Sequence, residues 1–476
     1  AGRLAFGPLE SLVTLMQETP PEQLMPRLVA LLQGGESLQS LVAAGALANA
    51  RAFGGQDYTG YHTFMALAPA YQMSRELPSA RRALPVLKVL YRNAARVQET
   101  QHAHEDTLRP VPPLDPATGA VSPDWLREAV DQLDWNLSEQ RLATMVKQSP
   151  IDAYQQLLSA VEEEANVHRV VLAWRAWAML GLIGEQHAET LLRQSVRFCL
   201  AEEEQRQRQG GGSELRSLLP QLLERHRLLD GPLGSRAADD AWIESLTTTI
   251  FSSSRAAAAE AVAAALAEGF APEAVGEALS LAANRLVLHD PGRRVENSTP
   301  LKPPGCVHGD SVGVHASDSA NAWRNLARVG NPRNRAASLV VGAYHTAGQT
   351  DWVTEQPYPY AALVDDIRDH QSHELLALAD EAIRAREQAR ASAIVQRYGD
   401  LGHSPRALMD LLLKYAVSED GALHAEKYYA TVSEEFATTR PAFQWRHMVA
   451  LARVTASEAG FPAAGYSQAC ELLKVS

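Results

Sequence analysis

The sequence predicts an all-α protein, a large assembly of packed helical hairpins whose two halves form one compact body. Hydrophobic residues make up 46% of the 476 residues and aromatic residues only 6%, with Ala and Leu dominating the apolar share. Such a composition, poor in β-branched residues, favours helix over sheet. Apolar residues also recur near the 3.6-residue helical period in both halves, and the alternation typical of strands is lacking.

The division into halves is predicted from two breaks in the helical pattern. A charged run, 202–212, ends in three glycines, where helix is disfavoured and few contacts are expected. The segment 230–235 carries Gly, Pro and Gly again. We therefore expect an N-terminal helical half at 1–205, a linker at 206–236 and a C-terminal helical half at 237–476.

The charge argues against two classes of partner. The formal net charge is −12, and no basic stripe relieves it. Nucleic acids and anionic membranes are therefore not expected as partners. No run of about eighteen apolar residues suggests a membrane span. A small-molecule substrate is the expected partner, and the oligomeric state is not predicted.

The cysteines indicate a reducing compartment. Cys199, Cys306 and Cys470 are odd in number and far apart, and they form no CxxC pair. A cytoplasmic location is the simpler interpretation. The chain begins Ala1-Gly2-Arg3 without Met, so export after removal of a signal peptide stays open as the alternative.

The strongest indication of chemistry is the stretch 306–321. It follows the helix-breaking segment 303–305 and runs into a sequence typical of helix. If a helix begins near His308, then His308 and His315 differ by only about 20° around its axis. Two imidazoles on one helix face can bind the same metal ion, and we predict His308 and His315 as metal ligands.

Two carboxylates and two glycines support this interpretation of the stretch. Asp310 and Asp318 could orient a ligating imidazole or act as acid and base, and we predict both as catalytic residues. Gly309 and Gly313 have no side chain, so another part of the backbone could come close there.

Two segments share the sequence Tyr-His-Thr. They place His62 beside Tyr61 and His345 in a run almost free of charge. We predict both histidines as buried metal ligands that converge with the 308–315 stretch, with Tyr61 as a catalytic residue. The alternative for His62 is a core histidine with one hydrogen-bond partner.

A further candidate ligand lies at the end of a predicted helix, 81–105. The segment 101–106 reads Gln-His-Ala-His-Glu-Asp, which has a metal-rich composition. On a regular helix His102 and His104 would point about 200° apart, so both could bind one ion only where the helix frays. We predict His104 as a ligand; a solvated polar helix end is the alternative.

Together these residues predict a metal-dependent enzyme with a His-lined pocket between helices. It would act on a small organic molecule by redox or hydrolytic chemistry, with one transition metal as cofactor: zinc, iron, copper or nickel. No nucleotide-binding or haem-attachment signature occurs in the sequence. The alternative is a non-catalytic interaction scaffold in which the histidines are structural.

Overall fold

The fold is all-α, as the sequence predicts. The computed structural model describes residues 2–115, 121–368 and 370–475. Across these ranges the regular structure consists of α-helices and short 3-10 helices, with no β-strand and only isolated bridges such as Arg236 with Phe270. None of the helices within the same ranges has both the length and the apolar character that a membrane crossing requires.

The helices pack as two compact units. Unit 1 comprises 1–217 together with 464–476, and unit 2 comprises 218–463. The predicted linker, 206–236, contains the end of one helix and the whole of another, Glu214–Arg225, which includes the point of division.

Unit 1 is built from helices of 7 to 22 residues. Its elements in chain order are α1 Glu10–Glu18, α2 Pro21–Gln33, α3 Leu38–Phe53, α4 Tyr58–Ser74, α5 Leu84–Glu99, α6 Trp125–Asp131, α7 Trp135–Gln148, α8 Pro150–Val161, α9 Val167–Ile183 and α10 Ala188–Gln209. Helix α11, Glu214–Arg225, follows at the boundary with unit 2.

Side-chain caps explain why several of these helices begin where they do. Ser37, Asp57 and Asn166 accept hydrogen bonds from backbone N–H groups in the first turns of α3, α4 and α9. Those N–H groups have no partner within the helix, so a capping oxygen stabilises the start by about 1 kcal/mol. The predicted helix 81–105 is shorter than expected: α5 ends at Glu99 and a 3-10 turn, Gln101–Ala103, follows.

Unit 2 carries the histidine-rich stretch. Its helices are α12 Asp240–Ser252, α13 Arg255–Ala267, α14 Pro272–Leu288, α15 Val312–Val329, α16 Pro332–Thr346, α17 Ala361–Asp365, α18 Ser372–Arg384, α19 Gln388–Asp400, α20 Pro405–Ser418, α21 His424–Thr438 and α22 Trp445–Glu458. The last helix, α23 Tyr466–Leu473, belongs to unit 1.

Helix α15 lies at the centre of unit 2, where it packs against α14, α16 and α21. Trp323 on this helix is fully buried. Close packing depends on small residues: a Cβ at Gly313 would lie 2.6 Å from the backbone nitrogen of Val287 on α14. A Cβ at Gly342 on α16 would lie 2.6 Å from Leu279 and 3.1 Å from Trp323. The apolar face of α15 is thus buried among its neighbours.

The start of α15 corrects the sequence interpretation. The helix begins at Val312, capped by the Ser311 hydroxyl, and not near His308. His308 lies in the preceding turn, where its carbonyl accepts a hydrogen bond from the Ser311 N–H at 2.8 Å. His308 and His315 therefore do not lie on one helix, and the predicted separation of about 20° around its axis is wrong. Any proximity of His308 to His315 has to come from the turn.

Candidate functional site

Three histidines of unit 2 lie together beside the start of α15. We call His308, His315 and His424 the histidine cluster. The Nε2 atoms of His315 and His424 are 3.2 Å apart, and their ring centroids are separated by 5.3 Å. The His308 and His424 rings are 6.1 Å apart. The cluster joins the first turn of α15, the turn before it and the first residue of α21.

Gly309 makes this approach of α21 possible. A Cβ on Gly309 would lie 2.0 Å from the Cβ of His424, closer than real Cβ atoms come. Any side chain here would therefore displace the helix start that carries His424. The predicted role of Gly309 as a site of close approach is observed.

The hydrogen bonds of the cluster indicate its tautomers. The Nδ1–H of His424 donates to the carbonyl of Ala422 at 3.0 Å, which leaves Nε2 as an acceptor. The Nε2–H of His315 can then donate to it. Burial, followed by the positive charge of Lys427, lowers the pKa of His315 to about 4. His315 is therefore neutral at pH 7.

Asp310 orients His308. Burial opposes the ionisation of the Asp310 carboxyl, but hydrogen bonds from His308 and Lys302 hold its pKa well below the usual range. Arg293 is also bonded to it. The carboxylate accepts from Nδ1 of His308 at 3.0 Å, which directs Nε2 of His308 toward Glu458, 3.8 Å from its Oε1.

The end of α22 holds this turn in place. Oε1 of Glu458 accepts a hydrogen bond from the Gly309 N–H at 2.7 Å. The hydroxyl of Ser457 accepts one from the Val307 N–H at 2.6 Å. Glu458 is only 8% exposed, so a carboxylate lies inside the unit beside the histidine cluster.

Other ionisable groups are buried around the cluster. Asp318 is 5% exposed and accepts a hydrogen bond from the Thr431 hydroxyl at 2.7 Å. Glu426 and Lys427 are buried at the start of α21. The Tyr428 hydroxyl is buried without a hydrogen-bond partner among the described residues. Burial, followed by the charge of Asp318, raises its pKa, so it remains a phenol.

Two cavities border the site. The smaller one, of about 20 Å³, is lined by Gly309, His424, Tyr428 and Glu458 among others. That volume is enough for about one water-sized occupant. The larger cavity, of about 370 Å³, is lined by residues that include His308 and the start of α15. The turn 308–310 lines both cavities, with His308 facing the larger one.

The remaining predicted ligand in unit 2, His345, lies on α16. It is half-buried, and its Nδ1 accepts a hydrogen bond from the indole N–H of Trp323 at 3.2 Å. Burial, followed by the charges of Arg255 and His315, lowers the pKa of His345 to about 3. It is a neutral imidazole in the same unit as the histidine cluster.

The other predicted site residues lie in unit 1. His62 is buried, and its Nδ1–H donates to the carbonyl of Tyr58 at 2.7 Å. Its ring lies 4.8 Å from that of His168 and 5.2 Å from that of Tyr61. Burial raises the pKa of Tyr61, which is therefore a phenol at neutral pH. His104 is exposed after the 3-10 turn that follows α5.

Sequence reasoning missed three residues of the site. His424, Tyr428 and Glu458 come from segments more than 100 residues after His308, and no local motif marks them. The available signal for His424 was its place at a helix start directly after a glycine-containing turn, as for other histidines of the chain. For Glu458 there was none, because its role depends on tertiary contact with Gly309.

No complete metal site is formed by the side chains as they stand. In the ranges 2–115, 121–368 and 370–475, no group of three or more His, Cys, Asp or Glu residues is arranged to hold an ion. The closest arrangement is the pair of facing imidazoles, with Glu458 near the third histidine. A metal would therefore require at least one carboxylate or imidazole to move.

Comparison with known proteins found no relative. No family model, no curated protein and no solved structure matches this chain.

Proposed function

We propose that unit 2 is a metal-dependent enzyme acting on a small organic molecule. In this proposal His315 and His424 are two ligands of a single transition-metal ion, Glu458 is the third, and the 370 Å³ cavity receives the substrate. The reaction is hydrolytic if the ion is zinc and redox if it is iron or copper.

The observation that carries the proposal is the 3.2 Å separation of the two Nε2 atoms. Two nitrogens bound at 2.0–2.1 Å to one tetrahedral ion lie about 3.3 Å apart, so the spacing already suits two ligands, and each ring would turn to aim its Nε2 lone pair at the ion. The Nδ1–H of His424 is already bonded to a carbonyl, the arrangement that orients ligating imidazoles. On metal binding, the proton of His315 would move to Nδ1 or leave.

The surroundings favour a cation. Glu458, Asp318 and Glu426 are buried near the cluster, and buried carboxylates are stable only when their charge is compensated. Lys427 supplies one buried positive charge at the same place. A cation bound here would lie among these carboxylates, and Glu458 would reach it by exchanging its bond to Gly309.

His308 would act as the acid/base group. Its Nδ1 is fixed by the ionised Asp310, and its ring lines the substrate cavity while Nε2 faces Glu458. After a turn of the ring that brings Nε2 to the cavity, it would accept a proton from a substrate or water there, with Asp310 stabilising the imidazolium that forms.

The competing function is a non-catalytic scaffold with structural histidines. The specific observation in its favour is the absence of a formed three-ligand site in the described residues. In that case the His315–His424 contact is a neutral hydrogen bond worth about 1 kcal/mol. The two functions differ in metal content and not in fold.

Elemental analysis of protein purified without a His tag, after metal supplementation, tests the proposal. We expect about one equivalent of zinc, iron, copper or nickel in the wild type, and its loss in His315→Ala and His424→Ala. The variant His226→Gln is the control, because His226 pairs with Glu260 and not with a residue of the histidine cluster. A wild type without metal, or variants that melt early yet keep the full metal load, would contradict the proposal.

A further inference from the structure

The larger cavity of unit 2 differs from most of the protein in its charge. It measures about 370 Å³, within the range of about 300–1,000 Å³ usual for small-molecule sites. Its lining includes Arg293, Arg294 and Asp310, and Lys302 is bonded to Asp310. Three cations therefore surround one ionised carboxylate, in a chain whose net charge is −12.

Asp290 is the second carboxyl group of the lining, so three cations stand against two carboxyl groups when Lys302 is included. It is buried, at 7% exposure, and burial raises its pKa. Its Oδ1 already accepts the N–H of Gly292 at 2.7 Å. The lining itself holds two arginines and two carboxyl groups, and Lys302, bonded to Asp310, brings the cations at the cavity to three.

Hydrogen-bond donors face this space. Arg293 contributes its charge to the lining, although its Nε–H is enclosed and its two Nη groups are bonded to Asn297 and Asp310. Arg294 is exposed at the cavity. Val312, the first residue of α15, also lines it, and the positive end of the helix dipole lies there. An anionic group would complete these donors.

An apolar surface lies beside the donors. The indole of Trp352 lines the same cavity and is 40% exposed, a large fraction for a tryptophan. An exposed ring at a pocket can pack against a flat apolar group of a ligand. Charge and ring together define what the cavity would recognise.

We infer that this cavity binds a small organic anion, a carboxylate or phosphate carried on a flat apolar group. The anionic group lies between Arg294, Arg293 and the start of α15, and the apolar group lies against Trp352. This inference rests on the proposed function in naming the substrate class, since His308 lines the same cavity.

Calorimetric titration of the purified full chain with benzoate, phenyl phosphate and the uncharged benzamide tests the inference. We expect at least one of the two anions to bind, more tightly than benzamide and less tightly as salt is raised. Arg294→Gln should weaken the binding of that anion by about tenfold, which corresponds to the loss of a charge-assisted hydrogen bond. Trp352→Ala should weaken the binding of the anion and of benzamide to a similar extent. The control is Arg406→Gln, an exposed arginine paired with Asp410 on α20.

Equal binding of the anions and benzamide, no binding of any probe, or wild-type affinity in Arg294→Gln would overturn the inference. Preference for benzoate over phenyl phosphate, or the reverse, decides which anion is recognised and supports the inference either way. Metal content separates this result from that of the proposed function. Anion binding that depends on Arg294 in a protein without metal supports the anion site and contradicts the metal site; metal without anion binding does the opposite.

Discussion

At the scale of single residues, the site depends on an absent side chain as much as on its histidines. Because Gly309 has no side chain, the start of α21 can come close enough to bring His424 to His315. A Cβ at position 309 would clash with the Cβ of His424. The Gly309 N–H donates a hydrogen bond to Glu458, and the same turn places His308 against Asp310. One position thus sets the geometry of several polar groups.

Gly309→Ala tests that dependence. The added methyl would lie 2.0 Å from the Cβ of His424, so we expect α21 to shift and metal to be lost. Overpacking of this kind costs about 1–3 kcal/mol of unfolding free energy. Metal analysis and urea unfolding would measure both effects. Gly181→Ala in α9 is the matched control, because its Cβ meets open space; wild-type metal content in Gly309→Ala would argue against the cluster.

His345 gives a prediction of pH dependence. Its folded pKa of about 3 is below the ordinary 6.5, so the unfolded chain takes up a proton first as pH falls. Stability is therefore lost between about pH 6.5 and 3, by at most about 1.4 kcal/mol per pH unit for this group. His345→Gln keeps an acceptor for the Trp323 indole. Its free energy of unfolding should fall by about 1–2 kcal/mol less than that of the wild type between pH 7.5 and 5.

Urea unfolding at the two pH values measures this difference. The exposed His104, changed to Gln, is the control and should leave the wild-type loss unaltered. If His345→Gln and wild type lose the same free energy over this interval, the imidazole is not held neutral.

At the scale of elements, the turn before α15 shows where sequence reasoning stopped. The helix-breaking segment 303–305 correctly indicated an irregular approach, but the helix begins at Val312 instead of near His308. What fixes the turn is the end of α22, about 150 residues later, through Ser457 and Glu458. A local pattern cannot contain that information, so the turn and its partners could not be predicted.

Ser457→Ala should loosen this turn. The Val307 N–H would lose the hydroxyl that accepts its hydrogen bond, and a buried donor left without an acceptor costs about 1–3 kcal/mol. Hydrogen exchange should accelerate at 306–310 and unfolding should occur at lower urea. Ser252→Ala is the control, since that hydroxyl is exposed and donates to the Thr248 carbonyl within its own helix. Unchanged exchange at 306–310 would show that other contacts hold the turn.

At the scale of the whole molecule, composition predicted the fold class correctly. An Ala- and Leu-rich chain with a helical period forms helices throughout the described ranges. The candidate site was only partly accessible: His308, His315 and Asp310 were identified from type and spacing, whereas His424 and Glu458 were not. Helical periodicity reports which face is buried, but it does not report which distant helix that face meets.

The histidine cluster as a metal site is the central claim, and Co²⁺ titration of metal-free protein tests it most directly. Visible absorption distinguishes an ion held by imidazole and carboxylate in a tetrahedral site from the hydrated ion. The account predicts saturation near one equivalent with an intense tetrahedral spectrum, lost in His424→Ala and in Glu458→Gln and retained in His226→Gln. A wild-type spectrum that stays that of hydrated Co²⁺, or one unchanged in His424→Ala, would contradict it.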